Sequence, residues 1–407
     1  MLVAGSNSDA LGGRAFMRTY TSMDRGRSWR SELGPLPPAK RNHDCSFGDP
    51  SLGIDLHGRQ YYAFLYAACG TGRAVPNLAV ANRAGARASW ETYPVEPPSR
   101  FRADDKPALT VDTSPRSPFA GWIYVTWIRE GSSGEEGGVV ISHSRDRGRS
   151  WSRPVVVVGD AGAAPWFPAA ATGPRGELYV AWMASVGTVE IARSIDGGAH
   201  FGRHRTVDRI VSLPPRPCFE APALSIPAQP RRCVSPAPTI SVDRTRGARA
   251  GWVYVVYGKS GGDGREQDVY VHVYDGKLRS RGLHRVSPPD HGGASDQFFP
   301  VSAVDQSSAV LWVCYYDTGT GRARAKATFT CTTSADGGLS WSTPVPAASV
   351  PSDATVRGAP PFEYGDYEGL AVSNGIGHPL WTDARKLRTH GEEIYATSIP
   401  QSALELR

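Results

Sequence analysis

Carboxylates, tyrosines and arginines recur in this sequence where short apolar runs begin or end. Asp49, Asp104, Asp105, Lys106, Asp296, Gln297, Tyr364, Asp366 and Tyr367 stand at the starts of such runs, and Arg129, Glu130, Tyr315, Tyr316, Asp317, Asp383 and Arg385 at the ends of others. A carboxyl can pass a proton, a phenol can attack, and a guanidinium can grip a carboxylate through two parallel hydrogen bonds. Brought to one face, such a set would suit a ligand of sugar size. A Tyr or His base with Lys106 or an Arg neutralising a carboxylate would instead suit elimination on a uronate. A structural reading stands beside these. Asp49, Asp105 and Asp366 would cap strand starts, and Asp383 with Arg385 would form a plain ion pair.

What could position these residues is a repeat. The pattern Ser-x-Asp-x-Gly-x-x-aromatic occurs four times, at Ser22, Asp24, Gly26 and Trp29, at Ser144, Asp146, Gly148 and Trp151, at Ser194, Asp196, Gly198 and Phe201, and at Ser334, Asp336, Gly338 and Trp341. Each copy lies between two β-rich runs and reads as a hairpin turn. Its Asp accepts turn N–H groups, its Gly supplies positive φ, and its aromatic covers the hairpin. The copies are 122, 50 and 140 residues apart, which fits a repeat of about 50 to 70 residues with two decayed copies. Ala88-Ser89-Trp90 and Asp275-Gly276 keep remnants of them. Ahead of each turn comes an apolar run often closing in Asp and then a run rich in Tyr and Trp, as in DKPALTVD with WIYVTWI.

Four strands per repeat predict an all-β chain folded as a single β-propeller over residues 1–407, with a partial first blade and a Pro-rich insertion over 212–238. Counting second strands gives seven blades and counting first strands gives six. The octapeptide turns would lie on the face opposite the polar residues, which makes them structural. Tyr61, Tyr62, Trp122, Tyr124, Trp127, Trp182, Tyr254 and Trp312 are expected to pack between blades.

Composition agrees with a globular β protein: 407 residues, 40% hydrophobic, 21% charged, with 45 Gly and 33 Pro. The net charge of +6 comes from scattered arginines and points to acidic substrates, not nucleic acid. No apolar run is long enough for a membrane helix. The six cysteines contain no CxxC, and three local disulfides are expected, Cys45–Cys69, Cys218–Cys233 and Cys314–Cys331. Oxidised cysteines place the protein outside the cytosol, secreted or at the cell surface. Met1 runs straight into a strand, so a processed or truncated start is expected. The ten histidines show no metal spacing, and no cofactor is expected beyond the option of a structural calcium among the carboxylates. A monomer is expected.

The octapeptides resemble the Asp-box, or bacterial neuraminidase repeat, of the sialidase superfamily, and the likeness extends over nearly the whole chain. DKPALTVD and GDYEGLAV with WTDAR are similar to segments of bacterial exo-α-sialidase-like proteins. The resemblance implies a tyrosine nucleophile helped by a glutamate, an aspartate acid/base and an arginine clamp on the substrate carboxylate. Tyr364 or Tyr367 would be the nucleophile, with Glu363 or Glu368 beside it. Asp104 or Asp105 would be the acid, and Arg102, Arg129 and Arg385 the clamp. Lys106, Asp296, Gln297, Asp317 and Asp383 would complete substrate binding. The Arg-Ile-Pro element of sialidases is absent; the nearest stretches are FRAD at Arg102 and PRPC at Arg216. The functions implied are a glycosidase acting on a terminal acidic sugar, a noncatalytic propeller binding glycan or protein at a cell surface, or a polysaccharide lyase. The partner would be a glycan or glycoconjugate.

Overall fold

The computed structural model describes residues 1–8, 16–38, 43–70, 75–99, 102–131, 137–160, 165–184, 187–210, 224–260, 266–289, 295–320, 323–356, 363–387 and 392–405. These form seven successive antiparallel sheets and a separate hairpin, with a single short helix, Ser402–Glu405, among the described residues. Sheets two to six have four strands each in simple up-and-down order. The first has three, Leu2–Asn7, Met17–Ser22 and Arg30–Leu33, corresponding to the last three strands of the others. The seventh pairs Gly369–Ser373, Ile376–Asp383 and Glu393–Ala396, with Ile399–Pro400 continuing along the middle strand. Counting second strands therefore gives the right total.

The chain divides into two compact units. Residues 1–184 and 190–205 form the first, and 185–189 and 206–407 the second. In the first, Tyr61, Trp127, Ile123 and Val140 share one apolar cluster and Tyr124, Trp182 and Leu178 another. In the second, Trp312, Tyr316, Phe329, Tyr364 and Trp381 form the largest. In sheets two to six the second strands read as near-continuous apolar runs because both faces are covered; Leu178–Ala184 is buried throughout.

In the four-stranded sheets each octapeptide joins the third strand to the segment leading to the fourth, in the first sheet it joins the corresponding strands Met17–Ser22 and Arg30–Leu33, and all four are built alike. The Ser hydroxyl donates to the Asp carboxylate at 2.7–2.8 Å and accepts the Gly N–H at 2.7–3.0 Å. The same carboxylate accepts the N–H of the seventh residue at 2.9–3.0 Å. That residue's side chain returns a second bond, from Ser28, Ser150 and Ser340, and through the imidazole Nδ1 of His200. Hydrogen bonds hold the carboxyls of Asp24 and Asp336 down to about 2. The fourth position is left-handed as well as the fifth: Arg25, Arg147, Gly197 and Gly337 have φ of 62°, 68°, 72° and 87°. Two consecutive left-handed residues twist the hairpin in the sense its strands require.

A second repeated feature bends the first strands. Asp49, Lys106, Phe167 and Phe299 are left-handed, each directly before a proline, and each marks a break in register with the second strand. Such bulges re-aim side chains at the start of a strand.

Cys45 bonds Cys69, and Cys314 bonds Cys331 directly across a strand pair. Cys233 is also disulfide-bonded; Cys218, its expected partner, lies outside the described residues. Denaturing thiol titration should detect no free thiol. Replacing both Cys314 and Cys331 by serine should lower unfolding free energy by about 3 kcal/mol, from loss of a loop constraint, measured by urea unfolding. An unchanged midpoint would assign that bridge no stabilising role.

Candidate functional site

In the first unit, strand pairing sets Asp104 opposite Arg129. Asp104 is 1% exposed, and its Oδ1 accepts the Trp127 indole N–H at 2.9 Å. The Arg102 Nε stands 4.0 Å from the same oxygen. Both arginines turn their heads to Glu96. Arg129 Nη2 donates to its two oxygens at 3.1 and 2.9 Å, and Arg102 Nη2 lies 2.9 Å from Oε2. Burial, followed by repulsion from Glu96, pushes the Asp104 carboxyl up to about 7 against the pull of the two guanidiniums and the indole. The result is a carboxyl that exchanges its proton near neutral pH beside a set of two cations and one anion. Glu96 sits in the run Pro94-Val-Glu96-Pro-Pro98, where no periodicity points to a site.

Asp105 turns back on its own chain, its Oδ1 accepting the Lys106 N–H at 2.8 Å. The bulge at Lys106 lays its ammonium 4.3 Å from the centre of the Phe167 ring and 5.9 Å from that of Trp166.

In the second unit, the hairpin Leu224–Ile226 and Gln229–Val234 reaches the segment before the seventh sheet. The Gln229 amide donates to Cys233 O at 2.6 Å and accepts the Tyr364 N–H at 3.1 Å. Glu363, fully buried, accepts the Arg231 N–H and Nε at 3.2 and 3.1 Å and the Arg232 N–H at 3.2 Å. Arg232 closes a fork on Asp366, with Nε on Oδ1 at 2.5 Å and Nη2 on Oδ2.

The two candidate tyrosines differ sharply. Tyr364 is fully buried against Phe298 and Tyr316, and its hydroxyl donates to Ser352 O at 2.6 Å. Burial raises it to about 12. Tyr367 is 42% exposed. Glu368 bonds neither of them. Its Oε1 lies 2.8 Å from the Tyr316 hydroxyl, which is also 2.7 Å from Thr382 O, while Oε2 accepts the Thr382 N–H at 3.2 Å. A phenol has one proton to donate, so both short contacts are satisfied when Glu368 carries a proton and gives it to Tyr316. Burial holds Glu368 well above the usual carboxylate range, in the same direction.

Asp383 accepts the indole N–H of Trp381, two residues before it on the same strand, at 3.0 Å. It also takes a fork from Arg385, with Nε at 2.9 Å and Nη2 at 2.7 Å. Asp296, Gln297 and Asp317 bond to other residues of the second unit. Asp296 Oδ1 accepts the Gln267 N–H at 3.1 Å, and the Gln297 amide donates to Asp317 at 3.1 Å. No cluster of three or more potential metal ligands occurs among the described residues.

No known sequence family and no curated protein matches the chain. Solved structures do. The α-L-arabinofuranosidase of Fusarium graminearum superposes with a TM-score of 0.53 at 11% identity, covering 88% of this chain and 93% of that one. The α-L-arabinanase of Penicillium chrysogenum gives 0.52 at 12% identity, with 87% and 93% covered. The NanB sialidase of Streptococcus pneumoniae gives 0.50 at 9%, with 88% and 68% covered. The chain is a seven-bladed β-propeller. Its fold is that of propeller glycosidases, a likeness of fold at identities too low to carry site residues across. The propeller's described residues include no helix long and apolar enough to cross a membrane, and its disulfides are compatible with an extracellular setting.

Proposed function

We propose that this propeller is a secreted glycoside hydrolase that removes terminal acidic sugars from glycans, with Asp104 as proton donor. The observation that carries the reading is the Asp104 environment. A glycosidase acid must hold its proton at working pH and release it to a leaving oxygen, and Asp104, pushed up to about 7, is suited to that. Arg102 and Arg129, both held on Glu96 beside Asp104, place two cations at the acid, which favours an anionic sugar. Tyr367, 42% exposed in the second unit, is a ring that a sugar can pack against there.

The test is turnover of fluorogenic glycosides: a sialoside, a uronide and, as the neutral comparison, an arabinofuranoside. An acidic substrate should be preferred, activity should fall as pH rises past about 7, and Asp104→Asn should lower kcat/KM by about 100-fold or more.

A second reading is a noncatalytic propeller that binds glycan. It is favoured by the internal pairing of Glu96, Glu363, Asp366 and Asp383 with arginines. Retention on a glycan array by a folded protein that turns over none of the substrates would select it.

A further inference from the structure

Six residues in the second unit, Gln229, Arg231, Arg232, Glu363, Tyr364 and Asp366, make a contact that a plain four-stranded blade does not need. The hairpin bearing the first three is an insertion between the fourth and fifth blades. It holds a segment more than 130 positions away in sequence. The grip is specific in both directions. The Gln229 amide takes the Tyr364 N–H, two successive backbone N–H groups of the hairpin converge on a fully buried glutamate, and an arginine fork closes on Asp366. Glu363 is left-handed at φ 52°, a conformation that persists only where the surroundings impose it. On the far side of Tyr367 the chain is fastened again, by Glu368 to Tyr316 and Thr382. Between the two fastenings, Tyr367 is the residue left 42% exposed.

We propose that the insertion hairpin is a strap, and that Arg232 is a positioning residue whose fork on Asp366 sets the turn that presents the Tyr367 ring to a sugar. The part concerning sugar rests on the glycosidase reading; the strap does not. A ring fastened on both sides gives up little entropy when a ligand packs against it, so binding depends on the strap without the strap touching ligand. Arg231 and Arg232 then act through Glu363 and Asp366, and a change in the hairpin changes the angle at which Tyr367 is offered.

The experiment is hydrogen–deuterium exchange of the full chain as wild type, Arg232→Met and Arg232→Lys, read over residues 363–370 with the strand Leu311–Asp317 as internal control. Arg232→Met should speed exchange over 363–370 by tenfold or more with the control unchanged, and Arg232→Lys, which keeps the charge and one donor, should fall between. Unchanged exchange over 363–370 in both variants overturns the strap. If Arg232→Met does not fold, Arg232→Lys decides alone by whether faster exchange is confined to 363–370. On any glycoside the wild type binds, Arg232→Met should weaken binding at least tenfold, and Arg232→Lys should recover part of it. Unchanged binding in both variants overturns the positioning role. Absence of turnover by the wild type defeats the glycosidase reading and leaves the exchange result to decide the strap.

Discussion

Replacing Asp104 with asparagine should make the protein more stable than wild type at pH 8 and no more stable at pH 4. In the folded chain the carboxyl titrates at about 7 against an ordinary value of 3.8, so between those values the native state holds a proton that the unfolded state has released. Stability then falls as pH rises, by at most about 1.4 kcal/mol per pH unit, and the loss is complete above pH 7. The whole span is worth about 4 kcal/mol at most, and partial relaxation around a buried charge reduces it. Asparagine has the shape of the protonated acid and keeps an oxygen for the Trp127 indole, so it escapes the penalty. Urea unfolding of both proteins from pH 4 to 8 should show curves that diverge with rising pH. Parallel curves would mean that Arg102 and Arg129 keep Asp104 ionised throughout. Greater stability combined with lost turnover is the pattern expected of a group held at an energetic cost for its chemistry.

The same cluster separates what the sequence could reveal from what it could not. Arg102, Asp104 and Arg129 were legible because they flank periodic apolar runs, and strand pairing then decides which of them meet. Glu96 was not, because a proline-rich stretch has no period from which to read a direction. Its effect is large nonetheless, since it takes both arginine heads that a substrate carboxylate would otherwise meet first. Arg231 and Arg232 were hidden for a related reason. They lie in the Pro-rich insertion, and the residues they grip are more than 130 positions distant. Proximity in sequence also misled. Glu363 and Glu368 flank the two candidate tyrosines, yet Glu363 answers to the hairpin and Glu368 to Tyr316 on another blade. Around Tyr364 and Tyr367 the run Glu-Tyr-Gly-Asp-Tyr-Glu-Gly lacks the alternation that would assign one ring to the core and the other to solvent.

The octapeptide turns show the opposite case, in which local chemistry nearly suffices and one position carries a tertiary message. Two copies have arginine in fourth place and two have glycine, although all four backbones are left-handed there. The glycines are found where the preceding blade offers a tryptophan. A Cβ on Gly197 would lie 2.9 Å from the rings of Phe119 and Trp122, and one on Gly337 would lie 2.8 Å from the ring of Trp252 and 2.6 Å from Arg249 Cδ. Gly337→Ala should therefore cost about 2–4 kcal/mol, combining the left-handed penalty with displacement of a packed indole. In a Trp252→Ala background the same change should cost only about 1–2 kcal/mol, the backbone part alone. A double-mutant cycle by urea unfolding isolates the difference, about 1–2 kcal/mol of coupling between a turn and the neighbouring blade. A coupling near zero would mean that the indole yields freely and that glycine is there for φ alone. The expected coupling makes the choice between Asp-Arg-Gly and Asp-Gly-Gly a record of what the previous blade presents, which explains why the repeat is degenerate at this position and constant at the Ser, the Asp and the second Gly.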